Sequence, residues 1–110
     1  MYTAVVDGRT WSYTLGNNGQ ATLTNVDQVE GELLLPSRLN GHDVVGVKAG
    51  CFQNLANLER LVVPNSMTWI GGGAFVGSGI RELVLGDGIK HLYGYVYTNV
   101  DDNEIGRAHV

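Results

Sequence analysis

The stretch that decides the fold reads ERLVVPNSMTWIGGGAF and covers residues 59–75. It contains a short apolar segment, LVVP at 61–64, and a second segment, WIGGGAF at 69–75, with a turn between them. A unit of this size cannot bury its own apolar side chains. It needs neighbouring copies of itself to form a core.

Two further copies of the pattern flank this stretch. The apolar segment RLVVP at 60–64 recurs as ELLLP at 32–36 and as ELVLG at 82–86. The second segment recurs as VKAGCF at 47–52 and, less closely, as LYGYVY at 92–97. A longer loop near residue 40 lengthens the first unit. Tandem units of this kind stack into a solenoid.

The spacing of large side chains predicts how the units stack. Phe52, Phe75 and Tyr97 are 23 and 22 residues apart, so their rings are expected to form a ladder in the interior. Leu61 and Val63 are expected to pack against their equivalents in the units on either side. The interior is therefore predicted to be continuous from unit to unit.

Residues 1–31 precede the repeats and read as a β-meander. The dipeptides Asp7-Gly8 and Asn18-Gly19 separate runs that are rich in Thr, Val, Tyr and Trp. Both dipeptides suit the positive-φ positions of tight hairpin turns. The predicted strands cover residues 2–6, 10–15 and 21–26.

The predicted fold class is mainly β, a leucine-rich-repeat solenoid of about three units of 22–23 residues behind an N-terminal β-meander cap. Little helix is expected, with one turn near residues 51–55. The predicted domains are the cap at 1–31 and the repeats at 32–104. The three predicted units cover residues 32–59, 60–81 and 82–104.

The repeats resemble those of the BspA-like bacterial leucine-rich repeat proteins. That family's unit has a Leu-x-Ile-Pro strand, an Ile-Gly step and an Ala-Phe pair, matched here by LVVP at 61–64, IG at 70–71 and AF at 74–75. The match covers residues 32–97, although Gly86 replaces the proline of the third unit. The resemblance implies a fragment of an exported or cell-surface protein that binds other proteins.

The two ends of the chain give separate expectations. Residues 1–7 lack the basic and apolar regions of a signal peptide, although the resemblance implies an extracellular or cell-surface location. The last six residues, IGRAHV at 105–110, match the translation of a common sequencing adapter. We therefore expect a non-native tail and a natural protein that continues past about Glu104.

Composition excludes several classes of function. The 110 residues suffice for one domain, and a hydrophobic content of 44% with 16% charged residues argues against disorder. The net charge of −4 disfavours nucleic acid as a partner. No apolar run is long enough to span a membrane, and the single cysteine excludes an internal disulfide.

No residue pattern predicts a catalytic, cofactor or metal site. The glycines at 71–73 lack the Lys-Ser/Thr pair of a phosphate loop. His42, His91 and His109 lack the spacing of metal ligands. Cys51 takes the place of an alanine and is expected to be a buried apolar residue rather than a nucleophile. The sequence therefore predicts a protein that is not an enzyme and needs no cofactor.

Candidate binding residues lie at alternate positions of the three repeat strands. Equivalent strands lie about 4.8 Å apart, so equivalent residues form rows across the sheet. The predicted rows lie on the exposed face, where solenoids bind partners. Protein is the predicted partner. The six candidates are Glu32, Arg60 and Glu82 in a charged row, and Leu34, Val62 and Val84 in an apolar row.

Two other functions stay open. One is a carbohydrate-binding or cell-wall accessory module of a larger exported enzyme, with polysaccharide as the partner. Sugars stack on exposed rings, and the candidate rings belong to Trp11, Trp69, Tyr93 and Tyr95. The other is a structural solenoid spacer that has no partner of its own.

The C-terminal end of the array shows no evident cap. Repeat arrays usually need a cap at each end. We therefore expect an exposed apolar edge at Leu83, Leu85 and Leu92, with marginal stability or self-association through that edge.

Overall fold

The computed structural model describes residues 2–27, 29–52 and 55–92. Every regular element within those ranges is a β-strand. They contain no helix that is long and apolar enough to cross a membrane. The strands in chain order are β1 (Tyr2–Val6), β2 (Arg9–Leu15), β3 (Ala21–Val26), β4 (Gly31–Leu34), β5 (Arg38–Leu39), β6 (His42–Val47), β7 (Leu58–Val63), β8 (Trp69–Ile70), β9 (Glu82–Leu85) and β10 (His91–Leu92).

The strands form two sheets. The long sheet has the order β1-β2-β3-β6-β8-β10, and β5 pairs with β6 beside this path. The repeat sheet has the order β4-β7-β9, and all its strands are parallel. Along the chain, β4, β7 and β9 alternate with β6, β8 and β10, so each unit adds one strand to each sheet. This alternation is the solenoid that the repeats predict, and the mainly β fold class is confirmed.

The predicted meander is present as β1, β2 and β3, which pair antiparallel in sequence. Asp7 and Gly8 have φ angles of 52° and 76°, which are the backbone conformations expected of the first turn. Strand β3 then pairs in parallel with β6, so the meander and the units share one sheet. The domain boundary at residue 31 stays a prediction.

The core lies between the two sheets. The rings of Phe52 and Phe75 stack with centroids 5.2 Å apart, and Trp11 meets Phe52 edge-on at 6.4 Å. The predicted aromatic ladder is therefore confirmed for its first two members, while Tyr97 lies outside the described residues. The largest fully buried side chains are Trp11, Tyr13, Phe75, Leu23, Leu33, Leu39, Leu58, Leu61, Met67, Ile70, Ile80 and Val44.

Two glycines lie where successive units approach each other closely. A Cβ atom on Gly71 would lie 2.4 Å from the backbone nitrogen of Ala49 in the preceding unit. A Cβ atom on Gly86 would lie 2.6 Å from the backbone nitrogen of Asn65. The replacement of proline by Gly86 in the third unit thus suits a position where the neighbouring backbone leaves no room for a side chain.

The second half of each unit differs from the sequence prediction. The segments at 42–47, 69–70 and 91–92 form strands of the long sheet, which the repeat pattern does not predict. The predicted long loop near residue 40 is a hairpin, in which Leu39 pairs with His42. The predicted helical turn near 51–55 is absent from its described residues, of which Cys51 and Phe52 form a turn.

The predicted apolar edge at the third unit is only partly found. Leu83 and Leu85 are half-buried and pack against the core, because their partners Leu61 and Val63 cover them from the preceding strand. Leu92 lies in β10. The predicted self-association stays a prediction. Residues 93–110, which include Tyr93, Tyr95 and the predicted tail at 105–110, lie outside the described part of the chain.

Candidate functional site

The six predicted binding residues lie together on the repeat sheet. Strand register places Glu32 beside Arg60 and Leu34 beside Val62. The same register continues from β7 to β9. The result is two rows of three residues each, which we call the array. Its members are Glu32, Arg60 and Glu82 in the charged row, and Leu34, Val62 and Val84 in the apolar row.

The array occupies the outward face of the repeat sheet. The residues that alternate with it on β4 and β7 include Leu33 and Leu61, which have no exposed surface. Because successive side chains of a strand point to opposite faces, the array points away from the core. Leu34 is 46% exposed, and Val62 and Val84 are half-buried. The apolar row is thus a partly exposed stripe.

Arg60 links the charged row. Its Nε donates to Oε1 of Glu82 at 2.5 Å, and its Nη1 donates to Oε2 of Glu32. These hydrogen bonds, first that of Glu82 and then that of Glu32, raise the pKa of the Arg60 guanidinium above its usual value. All three side chains are open to solvent, where water and salt screen such pairs. The two ion pairs therefore contribute little to the stability of the fold, but they hold the Arg60 side chain in one orientation.

One contact to the backbone of the array was not predicted from the sequence. Nη2 of Arg9, on β2, donates to the backbone carbonyl of Glu32 at 3.2 Å. The contact joins the meander to the first strand of the repeat sheet. No pattern signals it, because the two residues are 23 positions apart in segments that do not repeat one another.

An open cleft of about 420 Å³ lies near the start of β4 and β7. Its lining residues are Glu30, Gly31, Ala56, Asn57 and Glu59. In the part of the chain that the structure describes, no group of three or more His, Cys, Asp or Glu side chains is placed to hold a metal ion. Because Glu30, Asn57 and Glu59 line it, the cleft has a polar, acidic rim beside the array.

Cys51 has the properties of a structural residue. It is half-buried rather than fully buried, and its Sγ donates to the carbonyl of Leu23 at 3.7 Å. Burial raises the pKa of the Cys51 thiol to about 12. The thiol is therefore protonated at neutral pH, and a thiolate nucleophile is disfavoured.

The two described histidines are structurally distinct. Nδ1 of His42 donates to the carbonyl of Gly19 at 2.8 Å. This hydrogen bond links the β6 strand to the turn between β2 and β3 and stabilises that turn. His91 lies in β10 and is exposed. Neither belongs to the array.

The described candidates for sugar stacking are covered to different degrees. Trp11 is 1% exposed and belongs to the core, so its prediction as a sugar platform is wrong. Trp69 is half-buried, and its indole lies over Gly46, where a Cβ atom would meet Cε2 of the ring at 2.0 Å. The other two candidates, Tyr93 and Tyr95, lie outside the described residues.

Solved structures of two bacterial proteins share this fold, although no protein-family model and no curated protein matches the sequence. A crystal structure of a T. pallidum leucine-rich repeat protein aligns with a TM-score of 0.71 and 27% identity, over 74% of this chain. A leucine-rich repeat protein from Bacteroides capillosus aligns with a TM-score of 0.67 and 22% identity, over 82% of this chain and 70% of its own. This chain spans 39% of the T. pallidum protein.

Proposed function

Because the chain is a leucine-rich repeat protein of the BspA-like type, we propose that it is a non-catalytic module that recognises another protein at a bacterial cell surface. One observation carries the proposal. Residues at equivalent positions of three successive units form the array, two in-register rows on one outward face. Faces of this kind are the extended binding surfaces of solenoid proteins.

The chemistry of the array suits a protein partner. Leu34, Val62 and Val84 supply apolar area, and the charged row borders them on one side. Protein interfaces combine an apolar centre with a polar rim, and arginine is enriched among their strongest contacts. Arg60 is already oriented by two carboxylates, which lowers the entropy lost when a partner binds.

Two observations support a role without catalysis. The array lies on a sheet face, whereas catalytic carboxylates work in pockets that exclude water. The raised pKa of Cys51 disfavours the one thiol as a nucleophile. The cell-surface location is part of the proposal and is supported by the family resemblance. Surface biotinylation of intact cells that produce the natural protein tests it.

Site-specific photo-crosslinking tests the binding surface. A photoreactive amino acid at Val62 would sit in the centre of the apolar row. The matched control places the same amino acid at Thr22, which is also half-buried but lies on β3 of the long sheet. Both proteins are irradiated with extracted host and bacterial surface proteins. We expect one protein to be crosslinked from Val62 and not from Thr22.

The partner found in this way is then tested for affinity. Arg60→Gln and Leu34→Lys should each weaken its binding, while Thr22→Lys should not. Crosslinking from both sites alike, or affinity that ignores both array substitutions, would contradict the proposal. Binding to purified polysaccharide alone would favour the carbohydrate-binding alternative, and no partner of either class would favour the spacer.

A further inference from the structure

Strand β1 has one paired edge and one open edge among the residues that the structure describes. It pairs with β2 through a two-residue turn, which makes Val6 and Arg9 a hydrogen-bonded pair. Such pairs alternate along an antiparallel ladder. The backbone N–H and C=O groups of Thr3 and Val5 therefore point away from β2 and form the open edge.

This edge lacks the usual protection against pairing with another chain. The strand reads YTAVV, without a charge or a proline, and its register with β2 has no bulge. The side chains of Tyr2 and Val5 are 53% and 70% exposed. Natural edge strands are usually protected by charges, prolines or bulges, and unprotected ones are templates for a further strand.

The side chain of Asn40 covers part of the edge. Nδ2 of Asn40 donates to the carbonyl of Thr3 at 3.2 Å and to the hydroxyl of Tyr13 at 2.7 Å. Asn40 lies in the turn between β5 and β6 with a φ of 50°, a conformation that asparagine tolerates better than most residues. The hairpin of β5 and β6 thus holds an amide group against β1.

We propose that β1 is a strand-pairing surface for a second copy of this chain, and that the Asn40 amide keeps it closed. Two β1 strands related by a two-fold axis at Ala4 pair antiparallel, with Thr3 of each opposite Val5 of the other. Both residues offer outward N–H and C=O groups, so the edge is complementary to itself. The Thr3 carbonyl joins this ladder only when Asn40 releases it.

Sedimentation velocity of the full chain tests the proposal. Asn40→Gly removes the amide and keeps the backbone, because glycine adopts positive φ without strain. We expect a larger dimer fraction than in the wild type at each protein concentration. Asn40→Asp is a second variant of similar shape that also lacks the N–H donors, and it should act in the same direction.

A matched control identifies the surface that pairs. Val5→Pro removes an outward N–H and leaves the ladder with β2 intact, so N40G/V5P should return to the wild-type dimer fraction. Hydrogen exchange gives a second readout. The amides of Thr3 and Val5 should become protected in N40G at high concentration. Unchanged association in both Asn40 variants, or a dimer that Val5→Pro leaves intact, would overturn the proposal.

Discussion

Gly71 fixes the distance between two successive units. The atoms that a side chain there would meet belong to the backbone of Ala49 and Val47, which cannot turn aside as a flexible side chain does. Gly46 is a different case, because the atoms that a side chain would meet there belong to the movable ring of Trp69. The same residue type therefore has two physical roles in one solenoid.

Gly71→Ala should lower the free energy of unfolding by about 1–3 kcal/mol, since the added methyl group overpacks two backbones. Urea unfolding measures the change. The matched control is Gly16→Ala, whose added Cβ atom would meet the side-chain oxygen of Asn18 at 3.3 Å. That substitution should cost less than about 0.5 kcal/mol. Equal losses in the two variants would contradict the close approach.

Cys51 should react slowly with a thiol reagent in the folded chain. Its pKa is raised from 9.0 to about 12, so the folded chain holds far less thiolate than the unfolded chain at pH 9. We expect the folded rate to be lower by roughly two to three orders of magnitude. Since the folded-state pKa is the higher one, this group's contribution to stability is full below pH 9 and is lost as pH rises toward 12. A folded rate equal to that in urea would contradict the burial.

The strands of the repeat sheet differ in how fully they are covered. Strand β7 lies between β4 and β9, and its Leu61 is completely buried. Strand β9 has one partner among the described residues, and its Leu83 is half-buried. In a solenoid most stabilisation comes from contacts between neighbouring units, so the middle strand gains from both sides.

Leu61→Ala and Leu83→Ala test this difference with the same chemical change. Leu61→Ala should lower the free energy of unfolding by about 2–5 kcal/mol, because it leaves a cavity in a fully packed site. Leu83→Ala should cost distinctly less. Urea unfolding of the two variants gives the comparison, and equal losses would show that the third unit is covered as fully as the second.

Across the chain, the sequence predicts the repeat sheet and the meander well. The alternation of Glu32, Leu33 and Leu34 recurs in each unit, and Asp7-Gly8 suits only a few turns, so both signals are local and strong. In the long sheet, β8 and β10 were missed because they have two residues each. A pair of residues such as Trp69-Ile70 is too short to show the alternation of a strand.

Contacts between distant segments were beyond any local pattern. The packing of the Trp69 ring against Gly46 depends on two residues in different units. The contact of Asn40 with Thr3 depends on how the hairpin of β5 and β6 meets the first strand. The six members of the array were predicted together because each sits at the same place in its unit, and the parallel register preserves that place.

The alternating signs of the charged row constrain how such an array can change in length during evolution. Tandem units are gained and lost by recombination between similar segments of a gene. Removal of residues 60–81 would bring Glu32 beside Glu82, and like charges directly opposite one another destabilise a sheet. Loss of two adjacent units from a longer alternating array would keep opposite charges together. Internal gains and losses in homologous arrays that retain this row should therefore involve even numbers of units.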